Sequence, residues 1–148
     1  MAFTRRSIQL VVILPDGRTL LTRNVFPSFR PVRSQPVWGK WKMSLEIELP
    51  DATIVSPTIY AENAIQTLLG IKLADDEFID EVVEHDIGLL KIFVVVMQFN
   101  RLVTIEVPTT VDVKAMSFEQ IEAAIDANRG DFTPDTVRTL NLYDTLVA

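Results

Sequence analysis

The chain is 148 residues long, the size of one ordinary domain and enough to bury a sizeable core. Apolar residues make up 48% and charged residues 23%, a globular rather than a disordered profile; with no cysteine, disulfides and thiolate metal sites are excluded, which fits a cytoplasmic protein. The net charge of −6 is unevenly spread: residues 1–42 hold eight basic side chains against the single acid Asp16, and the other 106 hold six basic and nineteen acidic ones. Such a split either builds an anion-attracting face on an acidic protein or pairs off across interleaved strands.

No repeat, low-complexity tract or linker interrupts the chain, so residues 1–148 are read as a single domain. Arg5 and Arg6 before the apolar run Ile8–Leu14 loosely suggest a signal peptide, but Gln9 interrupts the run and no small-residue cleavage site follows it. The run is therefore a first strand, turned by Pro15-Asp16-Gly17-Arg18 into a second at Thr19–Arg23. Asn24–Val37, with three prolines, two phenylalanines and two arginines, reads as an ordered loop. From Trp41 to Leu49 the side chains alternate: Trp41, Met43, Leu45, Ile47 and Leu49 on one face, Lys42, Ser44, Glu46 and Glu48 on the other, as in a half-buried strand.

Ser56-Pro57-Thr58 opens a helix whose stripe is Tyr60, Ala61, Ala64, Ile65, Leu68 and Leu69, and Gly70 stops it. Strands follow at Phe78–Glu84, Leu89–Phe99 and Leu102–Val107, with a tight turn at Asn100-Arg101. Ile92–Met97 is apolar on both faces, as a central strand covered on each side requires. Val111–Ala115 adds a short strand. Ser117 and Gln120 make a capping box for a helix to Ala127, and Thr133-Pro134 starts a last helix carrying Val137, Leu140, Leu142, Tyr143 and Leu146. The fold class this implies is mixed α/β (α+β).

This order of elements resembles the Nudix family over nearly the whole chain. The resemblance rests on the N-terminal hairpin, the proline-rich loop running to a tryptophan and a strand, the helix ending in Gly70-Ile71, and the Phe132-Thr133-Pro134 entry to a C-terminal helix. It implies an α/β/α sandwich with a mixed sheet flanked by helices. The family signature is G-x5-E-x7-R-E-U-x-E-E-x-G-U, with U aliphatic. Anchored on Gly70-Ile71, Ile65 also fits, but the other fixed positions carry Leu49, Val55, Asn63, Ala64, Thr67 and Leu68. The box is degenerate. In the family, glutamates of that helix hold Mg²⁺, a hard cation that needs anionic oxygens, and the metal bridges the substrate diphosphate. Ala64, Thr67 and Leu68 offer no carboxylate, and Glu62 lies one position off register. Neither metal nor other cofactor is expected, and the reading leans away from an enzyme and towards a nucleotide- or phosphate-binding or protein-interaction module.

A divergent hydrolase of nucleoside-diphosphate-linked substrates is the alternative, with Mg²⁺ held by unusual acids. The run Asp75, Asp76, Glu77, Asp80, Glu81, Glu84 and Asp86 supplies them; on a regular strand Glu77 and Glu81 share one face and Asp80, Glu84 and Asp86 the other. Glu81 and Glu84 are the candidate ligands, set against a solvated edge strand whose charges discourage aggregation. A structural or homodimerising subunit is a third reading. With His85 alone and no cysteine, zinc sites and Cys/His nucleophile systems are excluded, and the five glycines form no phosphate-binding loop. Arg30, Arg33, Lys40 and Lys42 lie beside Phe26, Phe29, Trp38 and Trp41, as a nucleic-acid surface would, but a sequence pI of about 4.7 argues against that partner. In the Nudix fold, resemblance places the Asn24–Lys40 loop beside the substrate cleft, so Arg23, Arg30, Arg33 and Lys40 are expected to face one cleft and bind a phosphate-bearing small molecule.

Overall fold

The computed structural model describes residues 5–26, 37–49, 56–87 and 90–147. Strand β1 (Arg5–Ile13) runs along the middle of a mixed sheet. The turn at Pro15–Arg18 sends it back into β2 (Thr19–Phe26), with Gly17 at φ 86° where a Cβ would be strained. On its other edge β1 pairs in parallel with β7 (Leu90–Gln98) from Arg5↔Leu90 to Ile13↔Gln98, and β7 pairs antiparallel with β6 (Asp80–Ile87). Two short strands, β3 (Val37–Trp38) and β4 (Lys42–Met43), pair with β2, as does β8 (Val111–Met116); β5 (Leu45–Glu48) returns to β1. Helix α1 (Pro57–Leu69) covers one face, and α2 (Phe118–Ala127) and α3 (Pro134–Val147), joined by a 3-10 turn at Arg129–Asp131, cover the other.

The two central strands explain their own composition. Even-numbered residues of β1 (Ile8, Leu10, Val12) pack with Val95, Met97 and Phe99 against Ala61, Ala64, Ile65 and Leu69 of α1. Odd-numbered Val11 and Ile13 pack with Ile92 and Val94 against Ile121, Ile125, Phe132 and Leu140. A strand buried on both faces is apolar at most positions, buried Gln9 being the polar exception in β1, and each buried apolar side chain contributes about 1.5–3 kcal/mol.

Four sequence expectations change here. The alternation from Trp41 to Leu49 is not one strand face: Trp41 and Met43 lie in the α2/α3 core, while Leu45 and Leu49 lie in the α1 core. Ser44 is the cause, a buried residue at φ 52° that breaks the strand and reverses its parity. Its hydroxyl accepts from Val12 N–H at 2.8 Å and donates to the Leu20 carbonyl at 2.8 Å. Gln9 donates to the Met43 carbonyl at 3.0 Å, and Thr22 Oγ1 to that of Ser44 at 2.7 Å. Thus the polar residue inside the first apolar run pairs a backbone group beside the break.

Leu102–Val107 forms no strand; it crosses the end of α1, with Glu106 N–H donating to the Leu69 carbonyl at 2.8 Å. The acidic run is also re-phased. Glu77 precedes β6 in a turn, held by Arg101 at 2.8 Å, and a bulge between Glu81 and Val83 places Glu81 opposite Val95 and Glu84 opposite Phe93. Finally, β2 extends to Phe26 and Val37–Trp38 pair with it, so the ends of the expected loop are strand; residues 27–36 lie outside the described residues.

Candidate functional site

Helix α1 carries the positions that would have to do metal chemistry. Pro57 occupies its first turn, and Gly70 closes it in the left-handed region at φ 67°. The scaffold positions fit: Ile65 and Ile71 are buried, and a Cβ on Gly70 would stand 2.7 Å from Cβ of Glu106. The remaining positions do not fit a divalent cation. Ala64 is buried in the sheet-facing core, as is Leu49 on the adjoining strand end. Asn63 and Thr67 are exposed, and Thr67 Oγ1 donates to the Asn63 carbonyl at 2.8 Å. Leu68, read from the sequence as part of the buried stripe, is 49% exposed, whereas Ile65 and Leu69 on either side of it in the chain are fully buried. Val55 lies outside the described residues. Glu62 is the only carboxylate on the helix, and among the described residues no three His, Asp or Glu side chains cluster so as to hold an ion. One carboxylate cannot replace the several anionic oxygens that Mg²⁺ demands.

A second constellation lies on the opposite face, around Trp41. The backbone N–H of Trp41 donates to the Asp131 carbonyl at 2.7 Å, and its carbonyl accepts from Thr133 N–H at 2.9 Å, which fixes the start of α3 against β4. Arg23 and Lys114, from the paired strands β2 and β8, place their cations 4.3 and 4.2 Å from the centre of the Trp41 ring. Arg23 also pairs with Asp112 at 3.2 Å. Burial, with Arg23 next in effect, lowers the pKa of Lys114.

Below Trp41, the parity reversal at Ser44 turns Glu46 towards α3. There Thr133 Oγ1 donates to its carboxylate, Thr136 Oγ1 lies 3.1 Å from the same oxygen, and Thr136 Oγ1 accepts from Met43 N–H at 2.9 Å. Burial raises the Glu46 pKa, partly offset by the two hydroxyls. Glu46, Asp112, Lys114, Thr133 and Thr136 were not singled out from the sequence. Glu46 could have been found only by anticipating the break at Ser44, since the alternation alone sets it on a plain polar face.

Of the four cations expected in one cleft, the two among the described residues, Arg23 and Lys40, take separate places. Arg23 is engaged with Asp112 and Trp41. Lys40 is exposed and lines a groove of about 410 Å³ with Arg129 and Arg138, a groove that Arg23 does not line. Arg30 and Arg33 lie outside the described residues, as do the side chains of Glu81, Glu84 and His85.

Comparison of the architecture with solved structures settles the fold. The chain superposes on DR0079 from Deinococcus radiodurans with a TM-score of 0.66 at 10% identity, covering 95% of this chain and 84% of that one. With the E. coli ORF135 protein the TM-score is 0.60 at 15% identity, over 97% and 91% of the two chains. A MutT protein from Methanosarcina mazei Go1 gives 0.57 at 14% identity, over 92% and 88%. The fold is Nudix-like. No protein-family model matches the chain, and no curated protein does. The likeness therefore lies in the Nudix architecture, and at these identities it speaks for the fold alone. In this chain Gly70 closes α1 and Ile71 is buried behind it, Ala64 packs in the core, and Asn63, Thr67 and Leu68 form an uncharged surface. Among the described residues, no helix is long and apolar enough to cross a membrane.

Proposed function

We propose that this chain is a Nudix-fold binding module that does not carry out metal-dependent hydrolysis. One observation carries the reading: of the acidic positions on the Nudix helix, Ala64 is consumed by the hydrophobic core, and Thr67 and Leu68 present a methyl-bearing hydroxyl and an isobutyl group to solvent. Among the described residues, that face offers no set of carboxylates to hold a cation that would neutralise a diphosphate as its bond breaks. An apolar side chain half exposed where the box has a carboxylate suits contact with a ligand or partner better than coordination of a cation.

The test is an assay of the purified chain with Mg²⁺ or Mn²⁺ and a panel of nucleoside-diphosphate-linked substrates, read as product release over a protein-free control. The expected result is no release above that control. A divergent hydrolase has one observation in its favour, the bulge in β6 that sets Glu81 and Glu84 opposite Val95 and Phe93, two residues packed on the α1 side of the sheet. Metal-dependent turnover would overturn the binding reading, and its loss in Glu81→Ala or Glu84→Ala would assign the activity to that alternative site.

A further inference from the structure

The groove at the start of α3 holds a feature that neither the box nor the fold explains. Its mouth carries three cations: Lys40 from the chain before β4, Arg129 from the 3-10 turn, and Arg138 from the second turn of α3. Arg138 is neutralised by Asp135 at 2.8 Å. Lys40 and Arg129 have no carboxylate within ion-pairing distance among the described residues, on a chain where acids outnumber bases by twenty to fourteen. Two positive charges have thus been left unpaired beside a cavity, although the chain has carboxylates to spare. The positive end of α3 opens on the same cavity at Pro134, adding to the potential. Phe132, Pro134 and Val137 add apolar surface to its lining, with Asn141 as the uncharged polar side chain.

We infer that this groove binds a small phosphomonoester. A phosphomonoester at neutral pH carries a charge of about −1.5 to −2, which matches the two unpaired cations. Arg129 can meet it with the planar fork of its guanidinium, while Lys40 acts as a point charge. The volume of about 410 Å³ falls in the range of small-ligand sites. The charge next door restricts the class further. Beyond Arg129 a smaller cavity of about 170 Å³ continues between α2 and α3, and there Glu122 and Asp126 line it. A second anionic group reaching past Arg129 would meet like charge, so the groove takes one terminal phosphate on a short apolar body. A polyphosphate or a nucleic-acid backbone does not suit it.

The test uses the full chain, labelled with ¹⁵N and titrated with phenyl phosphate, and in parallel with inorganic phosphate, pyrophosphate and a short single-stranded oligonucleotide. Phenyl phosphate is expected to shift the amides of Arg129, Gly130, Val137 and Arg138, and to bind more tightly than inorganic phosphate or pyrophosphate. Arg129→Gln and Lys40→Gln, both at exposed positions, should each weaken binding about threefold with little change in melting temperature, as loss of one exposed charge pair implies. Affinity should fall as salt rises. Shifts confined to other regions, binding indifferent to both substitutions, or tighter binding of pyrophosphate or the oligonucleotide would each overturn the inference. None of these residues lies on α1, so this titration and the hydrolysis assay fail or succeed independently.

Discussion

Replacing Gly70 by alanine tests how rigidly α1 is anchored at its C-terminal end. Two costs are separable in the structure. Gly70 sits at φ 67°, where an L side chain loses about 1–2 kcal/mol relative to glycine. The new Cβ would also stand 2.7 Å from Cβ, 3.1 Å from the carbonyl oxygen and 3.4 Å from Cα of Glu106. Carbon atoms prefer separations of about 3.5–4.0 Å, so the segment before Pro108 must move by most of an ångström, and overpacking of this kind costs about 1–3 kcal/mol. Such movement also strains the bond from Glu106 N–H to the Leu69 carbonyl. Gly70→Ala should therefore cost about 2–5 kcal/mol, a large fraction of the 5–15 kcal/mol typical of a domain. At this length it should lower the melting temperature by roughly 5–20 °C. Urea unfolding of Gly70→Ala, Glu106→Gly and the double mutant separates the parts: Glu106→Gly removes only the 2.7 Å Cβ contact and should restore part of the packing loss, leaving the contacts with the Glu106 backbone and the cost of the left-handed conformation behind. Gly70→Asn keeps the contact but tolerates the left-handed conformation, so it should cost less than alanine. A loss below about 1 kcal/mol for Gly70→Ala, or no coupling to Glu106, would refute this account of the helix end.

Two further outcomes follow from the α3 side of the sheet and from its centre. Ser44→Ala leaves the buried N–H of Val12 without its partner and should destabilise by about 1–3 kcal/mol, with faster hydrogen exchange at Val12; unchanged exchange there would count against the bridging role of Ser44. Glu46 has a pKa raised, chiefly by burial, above its ordinary value of 4.5, so the folded state holds its proton more tightly than the unfolded one. The stability tied to this group is thus fully present below pH 4.5 and is lost as pH rises through the raised value. Glu46→Gln should flatten the stability profile from pH 4.5 upward, and thermal melts across that range showing an unchanged or steeper profile would contradict it.

Most of the architecture was legible because it is written in local signals. The capping box at Ser117 and Gln120 is formed in full, Gly70 closes α1, and the doubly apolar run Ile92–Met97 is a central strand. What the sequence concealed depends on pairing between distant segments. A period of two from Trp41 to Leu49 looks unbroken because two alternating halves of opposite parity meet at Ser44, a junction that becomes visible only when Gln9, Val12, Leu20 and Thr22 are seen to close around it. Leu102–Val107 alternates like a strand, yet Leu102 is 92% exposed and the segment is spent on capping the end of α1. The bulge in β6 likewise shifts the register of that strand against β7 without leaving a trace in composition.

The same distinction governs the candidate sites. The absence of carboxylates at Ala64, Thr67 and Leu68 was readable from the chain, because it needs no coordinates to be noticed. The proposed groove was not, because it depends on what the rest of the fold brings beside a given cation. Arg23 and Lys40 are near neighbours of Trp41 in the strand pairing and in the chain, and sequence reasoning grouped them with Arg30 and Arg33. Yet Arg23 is drawn onto the indole and Asp112, while Lys40 keeps its charge at a groove whose other basic residues come from positions 129 and 138, almost ninety residues or more away. In a chain with six basic residues among its last 106, the two that return to Lys40 are the ones that make a site of it. Charge counted along the sequence located an excess, and the turn between α2 and α3 decides which part of that excess stays available to a ligand.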